Sequence, residues 1–455
     1  MPTSAHGPGD LSRPRAAAAP GPATPPPAAV RSRRALVAGS VGNFIEWYEF
    51  GVYGYFATVI AAAFFTPEGG GEAEALIRTY ASFALAFFFR PAGAWLFGRA
   101  GDRLGRRPTL ILVVSLMTAA TTLIGLLPTY ATAGVWAPWL LTLLRIVQGL
   151  SAGGEFGGAV SLMTEFAPPG RRGLYGAWQS FTVALGLLGG AGVAAVLGTV
   201  LTGAQLGAWG WRVPFLMTLP MGLAALWLRL RLEETPSFRT RERARTRKED
   251  EPAAAPARET VRAVVLGVGR LMGWSAAGYT FLVVLPSYLQ SVLDASFRQA
   301  LTATVLANAG FAAAILPAGA LSDRVGRRPV MLTGAVVAAA AAFPLLDLLR
   351  DPGAPTAAKG LAVCAAGAVV GLMAGPGPAM LAEMFPTRVR YTGLGLAYAL
   401  SNAVFSGCAG LIVTEAVRRT GEVRVPAYYV AVTCALSALA LATLRGDDHR
   451  RALRG

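Results

Sequence analysis

The chain has 455 residues, 54% of them hydrophobic and only 15% charged, with a mean hydropathy of +0.49. That is more apolar surface than a soluble domain can hide, so a soluble enzyme or binding module is disfavoured and a membrane protein is expected. The net charge of +16 does not point to nucleic acid, because the Lys and Arg residues fall in short clusters between apolar runs, as the positive-inside rule requires.

Residues 1–34 are rich in Pro and Ala and too interrupted for the apolar core of a signal peptide, so they are expected to form a disordered cytoplasmic tail. At roughly 20 mainly apolar residues per span, twelve candidates follow, at residues 35–63, 77–97, 108–128, 135–163, 174–201, 211–230, 261–289, 299–321, 330–349, 360–383, 392–417 and 425–444. The predicted fold is an all-α membrane protein of twelve transmembrane helices. Its six-helix halves occupy residues 35–232 and 261–445, with a basic cytoplasmic linker at 233–260 and a tail at 446–455. Arg31, Arg33 and Arg34, "GRAGDRLGRRP", Arg171 with Arg172, "FRTRERARTRKED", "SDRVGRRP" and Arg388 with Arg390 all fall on one side, which places both termini in the cytoplasm. Arg418, Arg419 and Arg424 are the exception.

Cys364, Cys408 and Cys434 sit separately in apolar segments without metal-ligand spacing, so neither a disulfide framework nor a metal site is expected. The two histidines, His6 and His449, lie in polar tails, which leaves intramembrane proton chemistry to carboxylates. No cofactor is expected beyond protons as a coupling ion, and no phosphate loop or catalytic triad suggests an enzyme.

The chain repeats itself. "GRAGDRLGRRPTL" from Gly98 returns as "GALSDRVGRRPVM" from Gly319, an offset of 221, and Glu165 with "FAPPGRRGLYG" returns as Glu383 with "MFPTRVRYTGLG", an offset of 218. Two related halves about an axis normal to the membrane are implied, with a cavity between them.

Gly98, Asp102, Arg103, Gly105, Arg106 and Arg107 resemble the loop motif of the major facilitator superfamily, and "RIVQG", Arg145 to Gly149, is similar to its fourth-helix motif. "GNFIEWYEFGVYG", "FFFRPAGAWLFG", "QGLSAGGEFGG", "WGWRVPF" and "EETPSF" resemble the metabolite:proton symporters, the group holding the proline/betaine and α-ketoglutarate permeases. The resemblance spans residues 37–444 and implies a carrier that alternates between outward-open and inward-open states, driven by protons, with Arg145 handling protons. Glu49 stands where many members carry Asp, and Arg270 where an apolar residue is expected. The long C-terminal coiled coil of the osmosensing proline/betaine carrier is not seen, so osmotic gating is not expected.

Glu46 and Glu49 fall roughly 16 to 21 Å along the first helix, near the midplane. With Asn43 and Tyr53 they form an expected polar stripe, and each carboxylate there costs roughly 2.5 to 3.5 kcal/mol on insertion scales. A carboxylate that holds a proton in a cavity suits proton coupling; neutralisation of an arginine is the other reading. Arg90, beside Pro91, can bind a substrate carboxylate, pair with Glu46 or Glu49, or snorkel. Glu155 can handle protons or serve as a salt-bridge partner of Arg145, and Arg212 can anchor an aromatic belt or meet incoming substrate.

The candidates are therefore Glu46, Glu49, Arg145 and Glu155 for proton coupling, and Arg90, Asn43, Tyr53, Arg212 and Arg270 for substrate binding. Asp102, Arg103, Arg106, Glu165, Asp323, Arg324, Arg327 and Glu383 form an expected cytoplasmic gate. In it Asp102 and Asp323 face a helix N-terminus of the other half, while Arg106 and Arg327 pair with Glu165 and Glu383. The expected function is proton symport of an α-ketoglutarate-like carboxylate into the cell. The alternative is a zwitterion such as proline or betaine, with Trp47, Tyr48, Tyr53 or Trp274 offering cation–π contacts. Drug efflux is disfavoured because "GLLGGAGVAAVLG" lacks the proline motif of such antiporters. The expected partners are a small metabolite and the bilayer, without nucleic acid or an obligate protein.

Overall fold

The computed structural model describes residues 28–66, 71–104, 106–165, 167–230, 257–385 and 387–444, all helical or connecting, with no strand among them. Apart from the turn Tyr130–Ala133, the helical segments group into twelve stretches. These are α1 (28–65), α2 (72–104), α3 (Arg106–Leu126), α4 (136–165), α5 (Arg172–Val200), α6 (Gly203–Leu230), α7 (257–293), α8 (Phe297–Val325), α9 (Arg327–Arg350), α10 (Thr356–Met384), α11 (387–420) and α12 (Val425–Ala442). Among the described residues, eight are long and apolar enough to cross a membrane, or nine with the bent α1 counted as one span. Of the others, α3 has only the shorter apolar stretch Ile111–Leu126, and α2 and α4 are broken. α2 is interrupted at Phe89, beside Pro91, whose ring removes a backbone donor, and α4 at Gly154 and Glu155.

α1 extends back to Ala28, into the stretch expected to be a tail, and α7 starts at Ala257, inside the expected linker. The rest of that linker and the C-terminal tail lie outside the described residues. Around the perimeter Trp95, Trp136, Trp139 (71% exposed), Leu143, Leu361 and Leu439 present apolar side chains outward, as a lipid-facing surface must.

The first six helices and the last six meet chiefly along α5–α8, α2–α11 and α5–α10. Contacts close this interface at both ends. At the end carrying the basic loops, the rings of Phe156 in α4 and Tyr398 in α11 stack with centroids 3.5 Å apart. At the opposite end, Tyr80 of α2 and Ser287 of α7 share a 2.6 Å hydrogen bond, and Thr58 donates to Gln290 at 3.2 Å. Between the two closures lies a buried polar cluster.

Candidate substrate and proton site

The cluster exists because α2 and α4 touch backbone to backbone. A Cβ on Gly149 would collide with the carbonyl of Ala86, and one on Gly153 with the carbonyl of Arg90, so only glycine permits the approach. That contact carries two arginines into one nest of rings. The Arg90 guanidinium carbon lies 4.2 Å from the Phe87 ring centroid, 4.3 Å from Phe50 and 5.3 Å from Trp47. The Arg145 guanidinium lies 4.1 Å from Tyr53, and 4.9 Å from both Phe50 and Phe83. Phe50 is thus shared by both cations, whose charge is offset by ring quadrupoles in place of water.

Two carboxylates from α1 complete the group. Glu46 Oε1 lies 3.3 Å from Arg90 Nη2, an ion pair with both side chains buried. Arg90 is thus paired with Glu46 here, and a residue 3% exposed does not snorkel. Glu49, fully buried, makes no ion pair among the described residues. Its Oε2 accepts from the Thr121 hydroxyl at 2.7 Å, Gln148 Nε2 donates to that hydroxyl at 2.5 Å, and Arg145 Nη1 donates to Gln148 Oε1 at 2.7 Å. A chain of hydrogen bonds therefore joins the second carboxylate to the second guanidinium across α1, α3 and α4.

Beyond the Arg90–Glu46 ion pair, several buried atoms of the cluster have no hydrogen-bond partner: Nε of Arg90, Nε and Nη2 of Arg145, Oε1 of Glu49 and the hydroxyl of Tyr279. Such atoms are rare in folded proteins because each forfeits its hydration without recompense. Guanidinium donors of this kind are the ones a carboxylate satisfies best. Tyr53 belongs to the group, its hydroxyl sharing a 2.6 Å hydrogen bond with Ser82.

The expected polar stripe on α1 does not hold together. Each step of three residues falls roughly 60° short of a full turn, so Asn43 and Glu49 point about 120° apart. Asn43 faces α5, donating to the Gln179 carbonyl at 3.1 Å and to Thr182 Oγ1 at 2.6 Å. Glu155 pairs with Arg229 of α6 rather than with Arg145, and a side chain on Gly42 would strike both members of that pair. Arg212 donates to the carbonyls of Gly125 at 3.0 Å and Leu127 at 2.6 Å, clamping the end of α3. Arg270 does the same for α12, donating to Thr443 Oγ1 at 3.0 Å and to the Ala440 carbonyl at 3.4 Å. Cations at helix C-termini suit the helix dipole, and neither arginine reaches the cluster.

Sequence reasoning missed Arg229, Thr121 and Tyr279. Arg229 sits at the edge of the basic linker and reads as a topological charge, while Thr121 and Tyr279 are single polar atoms in apolar runs. The one structural mark beside Tyr279 is a π-helical turn at Thr280–Val284, which sequence periodicity does not reveal.

At the basic-loop end Asp323, near the end of α8, accepts from the backbone N–H groups of Gly173 at 2.7 Å and Leu174 at 2.9 Å, at the start of α5. Arg327 holds Asp323 at 2.8 Å and Glu383 at 3.0 Å, and Arg172 approaches Glu383 at 3.4 Å. One carboxylate thus caps a helix of the first six, and a second is shared by arginines from both sets. Arg324 is exposed. The side chains of Asp102, Arg103, Arg106 and Glu165, the first copy of this arrangement, lie outside the described residues.

A bundle of membrane-spanning helices closed at both ends over buried guanidinium and carboxylate groups, some of whose atoms lack hydrogen-bond partners, is the arrangement a carrier of small polar solutes requires. Residues 35–258 match the family described as Sugar (and other) transporter, and residues 271–454 match Major Facilitator Superfamily. The chain is 33% identical to the Proline/betaine transporter of Salmonella typhimurium over 93% of its own length and 85% of that protein's. It is 38% identical to the Alpha-ketoglutarate permease of Escherichia coli, covering 82% of this chain and 85% of that one. A crystal structure of a D-xylose-proton symporter superposes with a TM-score of 0.73 at 20% identity, covering 92% of this chain and 99% of the other, a likeness of fold alone. The chain belongs to the major facilitator superfamily, in its metabolite:proton symporter family, and is a multi-pass membrane transporter.

Proposed function

We propose that the protein imports a small zwitterion of the proline or betaine type together with one proton, by alternating access, with the basic-loop end in the cytoplasm. The observation that carries this reading is the buried Arg90–Glu46 pair, 3.3 Å apart, beside guanidinium donors that lack acceptors. A zwitterion inserted into that pair replaces one ionic contact with two. Its carboxylate takes Arg90 and its cationic nitrogen takes Glu46, with the rings of Trp47, Phe50 and Phe87 alongside, so neither charge of the opened pair is left uncompensated. Glu49, which has no cationic partner, then carries the coupling proton, and the Thr121–Gln148–Arg145 chain links it to the second guanidinium. The Asp323, Arg327 and Glu383 contacts serve as a cytoplasmic latch that forms and breaks with each cycle.

A dicarboxylate, the substrate expected from the sequence, is the second reading, favoured by two guanidinium groups with open donors and by the similarity to a protein named for α-ketoglutarate. It demands more of the site. A dianion on both arginines leaves Glu46 without its counter-ion, so both glutamates must be protonated and at least two protons must move.

The test is uptake of labelled L-proline, glycine betaine and α-ketoglutarate into proteoliposomes under an inward proton gradient. Gradient-driven uptake of a zwitterion, reduced at least about tenfold in Arg90→Lys because ammonium cannot copy the planar fork, is the expected result. Uptake of α-ketoglutarate with neither zwitterion replaces the first reading by the second. Uptake indifferent to the gradient rejects both.

A further inference from the structure

The two guanidinium and two carboxylate groups of the site come from α1, α2 and α4, so the last six helices need another means of sensing the solute. Tyr279 of α7 offers one. Its side chain is buried (5% exposed) and its ring packs against Phe87 at 5.4 Å, Phe83 at 6.0 Å and Trp47 at 6.2 Å between centroids. Phe87 and Trp47 also face Arg90, and Phe83 also faces Arg145. The Tyr279 hydroxyl nevertheless has no hydrogen-bond partner, although phenylalanine would fill the same space without stranding an oxygen. Immediately beyond it α7 passes into the π-helical turn Thr280–Val284, and the Thr280 hydroxyl is also unpartnered. Turns of this kind concentrate at functional sites.

We propose that Tyr279 is a substrate-binding residue whose hydroxyl donates to the same carboxylate that Arg90 holds, so that one carboxylate bridges the first six helices and the last six. This rests on the proposed placing of a substrate carboxylate at Arg90. It gives α7 a reason to move with occupancy. Ser287, eight residues further along α7, makes the hydrogen bond with Tyr80 at the far end, so the helix that holds the carboxylate through Tyr279 also carries that closure. The bridge recognises an anionic oxygen acceptor, which the methyl ester of the same solute does not present.

The experiment uses the full-length protein in proteoliposomes, wild type and Tyr279→Phe, and measures inhibition of labelled L-proline uptake by unlabelled L-proline and by L-proline methyl ester. The expected result is a rise of about tenfold in the inhibition constant of the acid, the loss of one hydrogen bond to a charged group, with the ester unchanged. An unchanged constant for the acid, or equal losses for acid and ester, overturns the assignment of Tyr279 while leaving the proposed function standing. If wild-type protein transports α-ketoglutarate in place of L-proline, the same comparison is made with that acid and its dimethyl ester. If it transports neither, the underlying reading fails and the assignment falls with it.

Discussion

Replacing Glu49 by glutamine removes the carboxylate that has no cation while keeping its shape and its acceptor oxygen for Thr121. The hydrogen-bond chain through Gln148 to Arg145 survives, so folding and solute binding should survive with it. What disappears is a group able to release a proton. Each elementary charge moved with a zwitterion gains about 2.3 kcal/mol per 100 mV, which supports an accumulation of roughly fiftyfold at about 1.4 kcal/mol per decade. Wild-type vesicles held at that potential should therefore concentrate solute by about that factor, and Glu49→Gln vesicles should stop at a ratio near one. Counterflow between equal pools, which need not release the proton, should persist in both. The assay is labelled uptake at a clamped potential beside counterflow in the same preparation. Undiminished accumulation by Glu49→Gln would refute the assignment, and loss of counterflow as well would mean that Glu49 holds the solute or the fold.

Three further outcomes follow from the contacts. Glu155→Gln takes the carboxylate from a buried ion pair with Arg229 and should lower stability by about 3 kcal/mol, read as a lowered melting temperature in detergent. Glu155→Leu combined with Arg229→Leu should restore most of it. Arg327→Ala removes the link between Asp323 and Glu383, and a Ser180→Cys reporter, buried between α5 and α10 in a background without native cysteines, should react about tenfold faster with maleimide. Unchanged labelling would argue against the latch. Arg212→Ala should cost about 1–3 kcal/mol by freeing the end of α3 while leaving KM unaltered, since its bonds go to Gly125 and Leu127 and not to the cluster.

The helical character, the repeat and the burial of Glu46, Glu49, Arg90 and Arg145 within the bundle are legible in the sequence because charge in an apolar run is conspicuous and costly. Partnerships are not legible. Arg90 and Arg145 share one nest of rings because glycines let α2 and α4 touch, Glu46 reaches Arg90 from α1, and Glu155 meets Arg229 of α6 beside the break in α4. None of these is a property of one segment. Asn43 does not share a face with Glu49, because repeated spacings of three accumulate rotation that turns it toward α5. Arg212 and Arg270 stood out as lone cations, yet each satisfies carbonyls at the end of a neighbouring helix, and nothing local names that neighbour. Tyr279 was invisible for the opposite reason, since its significance lies in a missing hydrogen bond.

The proton-to-solute ratio bears most directly on the account. It is obtained from parallel proton and labelled-solute fluxes into proteoliposomes at matched initial rates, with L-proline, glycine betaine and α-ketoglutarate each supplied alone. An Arg90–Glu46 pair opened by a zwitterion, with Glu49 as the single proton carrier, predicts one proton per proline or betaine and an inward movement of one positive charge. Zwitterion uptake without any proton flux, unaltered when the gradient is collapsed, would contradict it.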